Sequence, residues 1–262
     1  MFYNGCITIP YIIVCKHTIN LSEIFGIIFP ISKEIWWFAS AYFILLILHP
    51  FINKFLLLIN KEEYHLYLSV IFFLASVIPF YSYFSSVLSW FICLYSLSAY
   101  VKLYGVNHNI KPIHYGIVAI LSITFIVMSS YIIESIPVIA EKYRYFYGRR
   151  GIPMLILSFS IFMSFLTMKA FHSRLINMIG LSTFGIYLIS DHKIIRNIIW
   201  GEWFNEFIDV QSQFFIIKSL IYVAMIFICC SIVDIVRYYT LEQFYSKLIN
   251  FLAKKLKQLL LP

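Results

Sequence analysis

The chain has 262 residues, of which 61% are hydrophobic and only 12% are charged. A soluble domain carries about 25% charged residues, so this composition excludes an ordinary soluble fold and predicts an all-α, polytopic integral membrane helix bundle. The net charge of +8 does not indicate a nucleic-acid partner, because an excess of Lys and Arg in loops is usual for membrane proteins.

Apolar runs predict about seven full membrane spans when the chain is followed in order. The runs cover residues 35–52, 64–80, 87–104, 113–133, 151–170, 175–190 and 214–236. Residues 2–14 are apolar but too short for a full span, so we interpret them as a partial helix or a re-entrant piece. Residues 16–34, 53–63, 134–150 and 191–213 are predicted loops, and residues 1–240 are predicted to form one transmembrane domain.

The last segment, residues 241–262, has a different pattern. Its apolar positions recur at helical spacing, and its lysines fall mostly on the opposite side: Lys247, Lys254, Lys255 and Lys257. This pattern predicts a basic amphipathic helix that lies on anionic membrane lipids.

The distribution of Lys and Arg predicts the orientation. The side that holds the C-terminus carries more of them, which predicts a cytoplasmic C-terminus in a bacterial plasma (inner) membrane, although the basic loop 134–150 opposes this orientation. The five cysteines are scattered without a CxxC pair, so we predict neither a disulfide framework nor a metal site.

The most informative stretch is residues 182–200, which read S-T-F-G-I-Y-L-I-S-D-H-K-I-I-R-N-I-I-W. An apolar run here meets Asp191 and His192, and ionisable groups at membrane depth tend to mark functional sites. The alternative is an interfacial end of a span, with Arg196 and Trp200 at the level of the lipid headgroups.

This stretch resembles the late-helix motif of the acyltransferase family 3 membrane proteins, roughly S-T-F-G-V-Y-L-I-H-D-[NH]-x-x-[VI]-R-x-x-[LI]-W. It departs from that motif at Ser190, where the family usually has His. Residues 36–53, 97–104 and 229–242 are similar to further motifs of the family in the same order. Members of the family are bacterial enzymes that move acyl groups, usually acetyl, onto sugars of surface polysaccharides.

The resemblance implies an O-acyltransferase with acyl-CoA (acetyl-CoA) as donor and a cell-envelope glycan or lipid-linked sugar as acceptor. His192 and Asp191 are the catalytic candidates, and Arg196, Tyr42 and Ser40 are the candidate substrate-binding residues. Arg196 would hold an anionic group, since guanidinium does this well, and Tyr42 is a better candidate for ligand contact than Ser40. We expect these five residues to surround one polar cavity.

One family feature is missing from the sequence. The first span of the family carries a basic residue, ten further residues and then a His, and here only Lys54 and His65 have that spacing. These two flank the polar residues 60–63, so we do not expect them to share a helix face. We therefore expect the chain to match the C-terminal part of the family, without its N-terminal spans, and its transferase activity to be impaired. The alternatives are a non-catalytic remnant and a glycan-binding or export protein, whereas the lack of an internal repeat disfavours a transporter.

Overall fold

The computed structural model describes residues 2–15, 21–33, 35–78, 87–106, 110–134, 136, 143–209, 211–242, 246–247 and 249–251. These residues form helices and no strand, which confirms the all-α prediction.

Twelve α-helices are numbered here in chain order. They are α1 (Phe2–Cys15), α2 (Leu21–Ile28), α3 (Trp37–Leu58), α4 (Lys61–Phe72), α5 (Val87–Tyr104), α6 (Pro112–Glu134), α7 (Tyr143–Tyr147), α8 (Ile152–Thr167), α9 (Arg174–Ser190), α10 (Lys193–Arg196), α11 (Phe204–Phe207) and α12 (Phe215–Arg237). Three π-helical turns continue α4, α10 and α12: Phe73–Val77, Asn197–Trp203 and Tyr238–Glu242.

Five helical segments of the described residues are long and apolar enough to cross a membrane: Trp37–Leu58, Val87–Tyr104, Pro112–Ile133, Tyr145–Thr167 and Phe215–Glu242. Most of their side chains are not buried by other protein atoms, and apolar helices of this kind need an apolar solvent. These helices are consistent with an integral membrane protein. The predicted spans 64–80 and 175–190 are not among these five. Residues 79 and 80 lie outside the described part of the chain, and α9 has only 17 residues, so the count of seven spans stays a prediction.

The first full span runs further than the sequence predicted. We expected it to end at residue 52, whereas α3 continues through Pro50 to Leu58. Proline has no N–H for the carbonyl four residues earlier, which here belongs to Leu46. The His49 side chain compensates, because its Nδ1 lies 2.6 Å from the Leu46 oxygen. Helix α4 then begins with a capping box between Asn60 and Glu63, so Lys54 and His65 lie on separate helices.

All four predicted loops contain some helix: the loop 53–63 holds the end of α3 and the start of α4, the loop 134–150 holds α7, and the other two hold further segments. Residues 21–28 form α2, and residues 193–207 form a continuous series of α and π turns. Both segments have apolar residues at helical spacing. They were not predicted as helices because each is shorter than a membrane span. Of the predicted amphipathic helix 241–262, most residues lie outside the described part of the chain.

The chain divides into two compact units, one of residues 37–171 and the other of residues 1–36 together with 172–262. In the first unit α6 packs on α8, α3 and α4 pack on α5, and the core includes Ile71, Ala75, Trp90, Cys93 and Leu155. In the second unit α9 packs on α12, and α1 contacts both α2 and α10. The second unit contains the Asp191–His192 stretch.

Candidate functional site

The Asp191–His192 pair marks a break between two helices. Helix α9 ends at Ser190, and Asp191 follows with φ −95° and ψ 0°. His192 is extended, with φ −61° and ψ 131°, and it is the N-cap residue of α10. The predicted span 175–190 ends at the same residue as α9, although the sequence has no Gly or Pro at this break. The consequence of the break is that the His192 ring turns inward, where it is 3% exposed.

The buried face around His192 comes from α1. His192 Nε2 lies 2.9 Å from Asn4 Oδ1 and 3.4 Å from Thr8 Oγ1, and Thr8 Oγ1 donates to Asn4 Oδ1 at 3.2 Å. The Trp36 ring meets the imidazole edge to face, with centroids 5.7 Å apart. Trp36 itself is fixed by a hydrogen bond of 3.0 Å from Nε1 to the Leu188 carbonyl. The imidazole is thus held by Asn4 and Thr8 of α1 and by the ring of Trp36, which the Leu188 carbonyl of α9 fixes in place.

The second ring nitrogen of His192 has no such contact. Its Nδ1 is buried and has no hydrogen-bond partner among the described residues. Burial lowers the pKa of His192 from 6.5 to about 4, because a charged ring would lose its hydration. The imidazole is therefore neutral near pH 7, and one of its nitrogens is unused.

Asp191 and Arg196 form a loose pair beside the histidine. Arg196 Nη1 lies 3.5 Å from Asp191 Oδ1, and half of the Arg196 side chain is exposed. The other carboxylate oxygen, Asp191 Oδ2, is buried without a partner in the described part of the chain. Surface ion pairs of this geometry contribute little to stability, so both groups remain able to contact a ligand.

The other two candidates, Ser40 and Tyr42, lie in α3 and therefore in the other unit. Ser40 is buried, whereas Tyr42 is exposed and its ring stacks on Phe38. The structure thus brings together three of the five predicted site residues, Asp191, His192 and Arg196. The cavity shared with Ser40 and Tyr42 remains a prediction.

A second polar cluster joins α1 to the end of α12. Tyr3 donates a hydrogen bond to Asp234, which is 1% exposed. Arg237 Nε donates to Asp234 Oδ1 at 2.8 Å and to the Tyr3 hydroxyl at 3.0 Å, and its Nη1 contacts Glu242 Oε2 at 2.6 Å. Gly185 of α9 packs directly on the Asp234 carboxylate. The cluster fixes α1, which carries Asn4, against the two helices α9 and α12.

Sequence analysis missed Tyr3, Asn4, Trp36 and Asp234 as site residues. Asn4 and Thr8 are polar residues in the otherwise apolar run 2–14, four positions apart and hence on one helix face. That pattern could have shown a polar face on α1, but it could not have named His192 as its partner.

We expect His192 to make the protein sensitive to acid. Because the folded-state pKa is lowered, the unfolded chain binds a proton below pH 6.5 that the folded chain does not bind until about pH 4. Stability therefore falls as pH drops through this window, by up to about 2 kcal/mol at pH 4.5. Thermal unfolding in detergent at pH 7.5 and 4.5 measures the loss.

The His192→Gln variant is the control for this measurement, since it keeps the six other histidines. The acid-induced drop in the unfolding midpoint should be smaller in the variant. An equal drop in both proteins would show that His192 is not the group that titrates.

No family model, no curated protein and no solved structure matches this chain. The resemblance to the acyltransferases therefore depends on the motifs quoted above.

Proposed function

We propose that this chain is a membrane O-acyltransferase-like protein, of the acyltransferase family 3 type, whose reaction is the transfer of an acyl group from acyl-CoA to a hydroxyl of a cell-envelope glycan, with impaired activity in the 262-residue form. The observation that carries the proposal is the buried, neutral His192, whose Nδ1 has no partner among the described residues. A neutral imidazole with a free nitrogen is the group that a general base for a sugar hydroxyl requires.

The acyl thioester must reach His192 from the cytoplasmic side, and the transfer step then needs no group beyond the two substrates and the base. The hydroxyl oxygen attacks the thioester carbonyl carbon and passes its proton to His192. An ester C–O bond forms, the C–S bond breaks, and the CoA thiolate leaves and recovers the proton. A histidine whose pKa is about 4 is a weak base, so the reaction depends on a precisely held hydroxyl.

Arg196 and Asp191 fit the binding of a charged or hydroxylated acceptor. The half-exposed guanidinium can hold a phosphate of a lipid-linked sugar. Asp191 Oδ2, which lacks a partner among the described residues, can accept a hydrogen bond from a sugar hydroxyl. In the same proposal Tyr42 and Ser40 of α3 are further substrate-binding residues.

The proposed topology has seven spans, with the C-terminus in the cytoplasm and Asp191 and His192 facing outward. Single cysteines at positions 62 and 136, in a chain whose five native cysteines are replaced, should then be labelled from opposite sides of the membrane. Both positions are exposed in the structure. Labelling of both from one side by an impermeant maleimide would overturn this topology.

We expect the 262-residue chain, expressed alone, to transfer little or no acetyl group. No basic residue and histidine in its sequence combine the family spacing with one buried helix face. Transfer of radiolabelled acetyl from acetyl-CoA to envelope glycan measures this. Robust turnover that survives His65→Ala would show that the spacing argument is wrong.

The decisive test of the proposed function uses membranes of cells that express the natural gene. Membranes that express it should acetylate envelope glycan, and His192→Gln and Arg196→Ala should each remove the activity while the protein stays inserted. Glycan binding without acetyl transfer would instead support a non-catalytic binding protein. Transfer that is unaffected by both variants would exclude this site.

A further inference from the structure

We propose that Asn4 is a positioning residue that holds His192 as the Nε2–H tautomer and so makes Nδ1 the nitrogen that accepts a proton. That the acceptor hydroxyl supplies the proton which Nδ1 accepts rests on the proposed function, whereas the tautomer of His192 does not depend on it. Nothing in the family motifs points to Asn4, which lies 188 residues before His192.

The first step is the orientation of the Asn4 amide. Its Nδ2 donates to the Gly26 carbonyl at 2.9 Å and, at 3.4 Å, to the Ile27 carbonyl. Both partners can only accept, so the NH₂ group must point toward them. The oxygen of the amide, Oδ1, therefore points toward His192, and an amide flip would place oxygen against oxygen.

The second step follows from the imidazole. An amide oxygen can only accept, so the contact of 2.9 Å between Asn4 Oδ1 and His192 Nε2 requires the proton on Nε2. The Thr8 hydroxyl gives its proton to Asn4 Oδ1, so toward Nε2 it offers a lone pair as well. Two acceptors thus surround Nε2, and in a neutral ring Nδ1 must carry the free lone pair.

The opposite tautomer would be unfavourable on both sides of the ring. With the proton on Nδ1, the Nε2 lone pair would face the Asn4 oxygen, and the Nδ1–H would be buried without an acceptor among the described residues. Leaving a buried donor unpaired costs about 1–3 kcal/mol. Asn4 is itself 1% exposed, so water does not compete for its oxygen.

The test is nitrogen NMR of the full 262-residue chain, labelled with ¹⁵N-histidine and reconstituted in lipid nanodiscs without substrate. Comparison with His192→Gln identifies the His192 signals among those of the seven histidines. At pH 7 we expect a neutral ring protonated at Nε2. In Asn4→Leu, which has a similar size but no acceptor, the Nε2–H fraction should fall to about half, since a hydrogen bond of about 1 kcal/mol no longer biases the ring.

A further variant separates positioning from general damage. Thr8→Val removes the neighbouring hydroxyl and leaves Asn4 in place, so it should keep the wild-type tautomer. The wild-type spectrum itself tests the tautomer even where Asn4→Leu does not fold. An Nδ1–H or doubly protonated ring in the wild type, or an unchanged tautomer in Asn4→Leu, would overturn the inference.

This result is independent of acyl transfer. A correct tautomer combined with an inactive natural gene product would refute the proposed function and leave the role of Asn4 intact. Active transfer by the natural gene product, with the His192 proton on Nδ1, would support the proposed function and refute the role of Asn4.

Discussion

Replacing Gly185 with Ala should destabilise the protein by about 3 kcal/mol, the cost of an overpacked core together with weakened charged hydrogen bonds. A Cβ at this position would overlap the carboxylate of Asp234. That carboxylate cannot easily move, because both Tyr3 and Arg237 donate hydrogen bonds to it. Helices α9 and α12 would have to separate, which a lower unfolding midpoint in detergent would show.

Gly180→Ala is the matched control, because Gly180 lies on the same helix and a Cβ added there would meet no described atom within 4 Å. Alanine favours helix more than glycine does, by up to about 1 kcal/mol, so this variant should be neutral or slightly stabilising. If Gly185→Ala behaved like Gly180→Ala, the close packing of α9 on Asp234 would be wrong.

The same close packing shows which features the sequence could not reveal. Hydropathy located the membrane-spanning helices to within a few residues for α5, α6 and α12, and likewise the shorter apolar helix α9, because long apolar runs determine them locally. The pairing of Gly185 with Asp234 joins residues 49 positions apart along the chain. No spacing rule encodes such a contact, since it arises only when two helices pack.

The candidate site was predictable in the same partial way. Asp191, His192 and Arg196 were predicted from one contiguous stretch, where ionisable residues follow an apolar run. Asn4 makes the 2.9 Å contact with His192. It was not predicted because the two residues are 188 positions apart along the chain. The end of α3 was misplaced for a local reason, because the apolar run is interrupted by Asn53 and Lys54 whereas the helix continues to Leu58.

Tyr3 and Asn4 connect the two polar clusters of this unit. These consecutive residues of α1 contact Asp234 and His192, respectively. The cluster at the end of α12 thus helps to set where Asn4 lies, and damage to it should affect stability before it affects chemistry. This makes the ion pair of Asp234 with Arg237 the second place where a single change should have a large effect.

Replacing Arg237 with Met should destabilise the protein by about 3 kcal/mol or more, the usual result of leaving one partner of a buried pair uncompensated. Methionine keeps the apolar stem of the side chain but removes the guanidinium, which lies 2.8 Å from Asp234 and 2.6 Å from Glu242. Asp234 is 1% exposed, so water cannot replace the lost charge. The unfolding midpoint in detergent and the yield of folded protein measure the effect.

Two comparisons make the interpretation specific. Arg174→Met removes an exposed arginine at the start of α9 and should change the midpoint little. Adding Asp234→Asn to Arg237→Met removes the uncompensated charge while keeping an acceptor for the Tyr3 hydroxyl, so the double variant should recover part of the lost stability. If the double variant were no more stable than Arg237→Met, the buried charge of Asp234 would not be the cause of the loss, which would then come from the missing hydrogen bonds of the guanidinium.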